Sequence, residues 1–178
     1  MMTNKLALIL CAVLATACTA GDEQDLSAVS RLKVDLGAVV KLGDVRPVDG
    51  VTAAGQPDEV GLKVFADKGY AAVIDLRSDS EDRGLDEPSV VEGLGMDYIS
   101  LPVAGDGITF ENARELDRLI KSYNEPVLVH CASSNRVGAL LALSAFEETG
   151  DAALALEKGK AGGLKGLEGK VRELIGLN

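Results

Sequence analysis

"VLVHCASSNRVGALLAL", residues 127–143, decides the fold of this chain. An apolar run ends at His130-Cys131, four residues pass, and Arg136 opens a second run that is apolar on nearly every helical side (Val137, Ala139, Leu140, Leu141, Leu143, Phe146). A short continuous apolar run predicts a buried strand, and the longer one after it predicts a buried helix. Strand, tight loop and helix in that order are the unit of a parallel α/β sheet, whose ligands gather at the carboxyl ends of the strands. Cys131 is therefore delivered to that edge. There the loop amides and the positive end of the helix dipole favour a thiolate over a thiol, and the same amides suit an oxyanion. Arg136 brings a planar fork of donors to the loop. Ala132, Ser133 and Ser134 are small enough not to obstruct it, and Gly138 permits close helix packing. Taken alone, Cys131 would be read as a core thiol. Its placement between His130 and Arg136 favours chemistry.

Working outward, the alternation repeats. "VTAA" (51–54), "AAVIDL" (71–76), "YISLPV" (98–103) and "PVLVHC" (126–131) are strand candidates. Asp58 caps a helix through residue 69, with Val60, Val64 and Phe65 on its apolar side; Thr109 caps another, with Ala113, Leu116, Leu119 and Ile120 sharing a face. A short helix is expected over 88–94, and two more over 151–160 and 167–175. The expected fold is α/β, a mainly parallel four- to five-stranded sheet flanked by helices. Between the second and third strands lies a charged loop (Arg77, Asp79, Glu81, Asp82, Arg83). Its default is solvated, with Arg77 the best candidate for a second substrate contact.

The chain of 178 residues is sized for one domain, and its net charge of −10 disfavours a nucleic-acid or anionic-membrane surface. An anionic substrate must therefore be captured by local groups. The first residues have the order of an export signal: Lys5, an apolar stretch from Leu6 to Ala17, then small residues. "LATAC" (14–18) is similar to a bacterial lipobox, although Ala15 stands where Leu is usual. This reading makes 1–17 a lipoprotein-type signal, Cys18 the lipidated first residue, 18–44 a tether and 45–178 the folded domain. It places the protein outside the cytoplasm, membrane-anchored and facing the periplasm; the alternative is a soluble periplasmic protein. Once Cys11 and Cys18 are set aside, Cys131 is the one thiol of the domain, so no disulfide framework is expected within it. With a single His in the chain and no ligand spacing, no metal is expected.

The Cys131 loop, with "GQP" (55–57), "VIDLR" (73–77) and "YISLPVAGDG" (98–107), resembles the bacterial beta-lactamase-hydrolase-like phosphatase-like family, relatives of the tyrosine and dual-specificity phosphatases. The resemblance covers residues 45–150. It implies a cysteine-phosphatase-like fold and a phosphomonoester hydrolase without a cofactor, acting on a phosphorylated small molecule or phosphoprotein. By that resemblance Cys131 attacks phosphorus and forms a phosphocysteine. Arg136 and the amides of Ala132, Ser133, Ser134 and Asn135 hold the phosphate. His130 supports the thiolate, and Asp106 protonates the leaving group. Turn chemistry alone would also account for Asp106 in "VAGDGIT". Three features depart from tyrosine phosphatases: four residues rather than five separate Cys131 from Arg136, Val137 follows the arginine where a hydroxyl is usual, and Ser134 stands where Gly is expected. The short spacer also resembles rhodaneses. A sulfurtransferase working through a Cys131 persulfide, or a phosphate-binding module without turnover, is the alternative.

Overall fold

A computed structural model describes residues 46–48 and 51–177. The expected export signal and tether, Cys18 included, lie outside these residues.

Among the described residues five strands form one sheet: β1 (Arg46–Val48), β2 (Val51–Ala54), β3 (Ala72–Asp75), β4 (Asp97–Ser100) and β5 (Val127–His130), in the spatial order β1-β2-β5-β3-β4. β2, β5, β3 and β4 run parallel, and β1 pairs antiparallel with β2 at one edge. Six described α-helices surround it: α1 (Glu59–Asp67), α2 (Glu87–Gly93), α3 (Phe110–Lys121), α4 (Asn135–Thr149), α5 (Ala152–Ala161) and α6 (Glu168–Leu174). The mainly parallel α/β sheet expected from the alternation is the fold observed.

β5 lies in the centre because both its faces are apolar, and every one of its residues is buried. Alternate residues feed two cores. Val127 and Val129 face a cluster that includes Leu140, Leu143, Leu116 and Leu156 from α3, α4 and α5. Leu128 faces the smaller cluster of Leu62, Phe65, Tyr70, Val91 and Met96 beside α1 and α2. His130 follows Leu128 by two and shares its face, whereas Cys131 packs with the first cluster. One strand end thus sends adjacent side chains to opposite sides of the sheet.

The caps form as the sequence requires. Asp58 Oδ1 accepts the Gly61 amide at 2.8 Å and Thr109 Oγ1 accepts the Asn112 amide at 3.2 Å. Gly150 ends α4 at φ 68°, a conformation open to glycine at little cost. On α1 the apolar face is built from Leu62 and Phe65; Val60, expected on it, is 69% exposed. α4 is the buried central helix. Its Gly138 lies so close to the following segment that a Cβ there would stand 2.2 Å from the Leu164 amide nitrogen.

Candidate active site

The loop after β5 is stitched to both neighbouring strand ends. The Cys131 amide donates to Ala54 O at 3.3 Å, the Gln56 amide to Ala132 O at 3.4 Å, and the Leu76 amide to His130 O at 2.9 Å. Gly55 presses on the loop closely enough that a Cβ would lie 3.2 Å from Ala132 O, so "GQP" forms one wall of the site. Cys131 is 1% exposed at the floor, while Ala132 and Ser133 are exposed at the rim. Ser134 turns the chain into α4 at φ 65°; among described residues it is the one non-glycine with positive φ. The serine noted as a departure from the resembled family thus takes a backbone conformation that favours glycine.

Arg136 leaves the first turn of α4 and crosses to the β3 and β4 ends. Nη1 donates to Glu81 Oε1 at 2.6 Å and Nη2 to Glu81 Oε2 at 2.7 Å, a bidentate pair. Nη1 also reaches Val103 O at 3.1 Å and Leu76 O at 3.3 Å. The Glu81 hydrogen bonds raise the guanidinium's pKa; burial opposes this and the nearby Cys131 sulfur adds to it. In turn the Arg136 hydrogen bond lowers the Glu81 carboxyl to about 2, against its burial. Glu81 thus occupies the end of the guanidinium. The Cys131 sulfur also lies close enough to interact with the guanidinium, so Arg136 links the nucleophile candidate to Glu81.

The charged loop is not solvated as a whole. Arg77 is 7% exposed. It donates to Gln56 Oε1, to Asp82 O at 2.5 Å and to Glu81 Oε2 at 3.4 Å. Arg77 therefore braces "GQP" against the Glu81 loop, each of its three guanidinium nitrogens making one bond within the protein. Arg83 donates to Asp75 Oδ2 at 2.6 Å, and Tyr98 Oη to the same oxygen at 2.8 Å. Burial raises the pKa of Tyr98, and its bond to Asp75 raises it further.

Under the loop lies a buried group that sequence reasoning missed. His130 Nε2 is 2.8 Å from Glu87 Oε1 and 3.7 Å from Asp75 Oδ1, all three side chains wholly buried. The His130–Glu87 pair is at ion-pair distance but not aligned as a hydrogen bond, and His130 Nδ1 has no hydrogen-bond partner among the described residues either. Gln56 Nε2 donates to Glu87 Oε2 at 3.0 Å, linking this group to Arg77. Asp75, Glu87 and His130 present three ligand-type atoms within 4.8 Å of one another. Asp75 is already engaged on both oxygens, accepting the Arg77 amide on Oδ1 and Arg83 and Tyr98 on Oδ2. The available signal for Glu87 was its place right after Asp86, which caps α2.

Asp106 sits on a 3₁₀ turn, Gly105–Gly107, and is exposed. Its carboxylate has no hydrogen bond or ion pair with the described residues. The turn is tied to the site through Val103 O, which accepts from Arg136.

Residues 47–161 match the family described as DSP-PTPase phosphatase fused to NAD+ kinase. The chain belongs to this family. It is also 34% identical over 109 residues to a beta-lactamase hydrolase-like protein of Xylella fastidiosa (strain Temecula1), covering 59% of this chain and 25% of that protein. A beta-lactamase hydrolase-like protein of Agrobacterium fabrum is 31% identical over 103 residues, covering 56% and 24%. The match thus spans about a quarter of these relatives' length. The fold is shared with a putative phosphatase, nma1982, from Neisseria meningitidis Z2491 (TM-score 0.62, 20% identity, 72% of this chain and 93% of that one). It is also shared with a variant of P. aeruginosa TpbA in complex with pTyr (TM-score 0.57, 17% identity, 74% and 87%). The expected family and cysteine-phosphatase-like fold are thereby established. The chain is a phosphatase-family protein of the dual-specificity and tyrosine phosphatase type.

Proposed function

We propose that this protein hydrolyses phosphomonoesters through a phosphocysteine on Cys131. The observation that carries the reading is the placement of the buried Cys131, at the end of β5, beside the Arg136 guanidinium, whose end is held by Glu81. In the first step Cys131 Sγ attacks phosphorus. The S–P bond forms, the P–O bond to the leaving group breaks, and Asp106 donates the proton that the departing oxygen needs. Asp106 as carboxylate then takes a proton from water. The water oxygen attacks phosphorus, the S–P bond breaks, and inorganic phosphate leaves with the thiolate restored. Arg136 and the amides of residues 132–136 hold the phosphoryl oxygens throughout. Val137 offers no hydroxyl to help the thiolate depart, so breakdown of the phosphocysteine is the slow step. The substrate is a phosphorylated small molecule or a phosphoprotein. The lipobox-like "LATAC" supports placing the domain outside the cytoplasm on a lipidated Cys18, with 18–44 as tether.

The test is turnover of p-nitrophenyl phosphate and phosphotyrosine by the purified protein, alongside Cys131→Ser. Hydrolysis that is lost in the variant supports the reading. Thiosulfate-to-cyanide transfer without phosphate release would replace it with the sulfurtransferase.

A further inference from the structure

Ser134 carries an unexplained cost. A residue with a Cβ is disfavoured at positive φ, and such a conformation persists only where the surroundings over-determine it. Here it serves a purpose, because a left-handed residue leading into the right-handed first turn of α4 turns successive amides toward one centre and makes an anion nest. The partners that hold it come from the far end of the chain. Ser134 Oγ does not cap its own helix; it donates to Gly162 O at 2.8 Å. Asn135 Oδ1 accepts the Lys165 amide at 2.8 Å and the Leu167 amide at 3.4 Å. Gly163, at φ 101°, backs directly onto Ser134: a Cβ there would stand 2.6 Å from Ser134 Cβ and 2.8 Å from its Oγ.

We propose that the connector between α5 and α6, residues 162–167, sets the shape of the phosphate-binding loop through Ser134 and Asn135, with Gly163 as its positioning residue. The connector lies beyond the residues 47–161 matched by the family. The three contacts act together. The Gly162 carbonyl fixes the Ser134 rotamer, the missing Cβ of Gly163 leaves room for that rotamer, and Asn135 ties the first turn of α4 to the connector backbone. The Ser134 amide and the Arg136 side chain both issue from this segment. A shift of the connector therefore moves the anion donors and the Cys131 surroundings together. The inference rests on the reading of the loop as an oxyanion cradle.

The experiment compares Gly163→Ala, Ser134→Gly and the double variant. Two readouts are used: vanadate inhibition of phosphate ester hydrolysis, and the rate of Cys131 alkylation by iodoacetamide, which requires no substrate. Circular dichroism reports folding. Gly163→Ala is expected to fold, to weaken vanadate about tenfold or more and to change the alkylation rate, since misplacement by about 1 Å costs an active site ~100-fold. Ser134→Gly removes the struck Cβ and Oγ but leaves the Ser134 O contact at 3.1 Å and the φ of 101° at residue 163, so the double variant is expected to recover part of the loss. If Gly163→Ala fails to fold, Ser134→Ala deletes only the bond to Gly162 O and is expected to move both readouts in the same direction. Unchanged vanadate affinity and alkylation in Gly163→Ala, or in Ser134→Ala where that variant is needed, would overturn the proposal. So would a double variant no better than Gly163→Ala. Wild-type protein that neither hydrolyses phosphate esters nor binds vanadate would instead sink the phosphatase reading. The connector is then judged on alkylation alone, where no change in any variant refutes it.

Discussion

Removing the Glu81 carboxylate charge tests how Arg136 is held. In Glu81→Gln the bidentate pair at 2.6 and 2.7 Å loses its charge, while the bonds from Arg136 to the Val103 and Leu76 carbonyls remain. The Glu81 carboxyl is lowered from 4.5 to about 2, first by the Arg136 hydrogen bond. A full shift of that size corresponds to about 3 kcal/mol of linkage. The Glu81 side chain is 28% exposed, so solvent screening reduces the expected contribution to about 1–2 kcal/mol. The sign follows from the lowered value. The contribution is fully present above the unfolded carboxyl's 4.5 and is lost as pH falls toward about 2. Urea unfolding should therefore show Glu81→Gln less stable than wild type at pH 6, with the gap narrowing toward pH 3. The site makes a second demand. If Glu81 orients the guanidinium toward the anion, the variant binds vanadate about tenfold more weakly, in keeping with the ~1.5–3 kcal/mol of a charged hydrogen bond. A stability gap that does not change with pH would refute the charge argument. Tighter vanadate binding in the variant would show that Glu81 competes with the anion instead of positioning its receptor.

Three further outcomes are expected. Asp106→Asn should slow hydrolysis of alkyl and tyrosyl phosphates by ~10²–10⁴-fold and aryl phosphates with acidic leaving groups far less, as steady-state rates on the two substrate kinds will show; equal slowing of both would remove Asp106 as the acid. Glu87→Ala should destabilise the fold by about 2–4 kcal/mol in urea melts, because it strips the buried carboxylate from beside His130 and strands the Gln56 amide; a loss under about 0.5 kcal/mol, the level of a surface substitution, would mean that the group is not structurally coupled. Intact mass spectrometry of the exported protein should give a mature chain beginning at an acylated Cys18, whereas an unmodified N-terminus would favour the soluble periplasmic form.

Most of the architecture could be read locally. β3 and β5 are short apolar runs closed by polar residues, and both Asp58 and Thr109 cap the helices they precede. Val60 misled because a helical face read from spacing alone does not say which neighbouring stripe meets the sheet, and Leu62 with Phe65 won. At the site, the Cys131 loop was legible because strand, loop and helix are contiguous. The partners of that loop were not. Glu81 meets Arg136 across 55 residues, Glu87 meets His130 from a different element, and the connector meets Ser134 across 28 residues; no periodicity records such pairs. The charged loop illustrates the same limit. By composition Arg77, Glu81 and Arg83 suit solvent, yet the buried Asp75 and the Arg136 guanidinium draw them into a fixed network.

The central claim is a covalent phosphocysteine, and the most direct measurement is the mass of Cys131 after rapid acid quenching. The protein is mixed with p-nitrophenyl phosphate or, separately, with thiosulfate, and the peptide containing Cys131 is analysed. With Val137 in place of a hydroxyl, breakdown is slow, so the account predicts a phosphoryl group on Cys131, formed with a burst of nitrophenol and absent from Cys131→Ser. A persulfide from thiosulfate that turns over to cyanide, with no phosphoryl adduct and no burst, would contradict it.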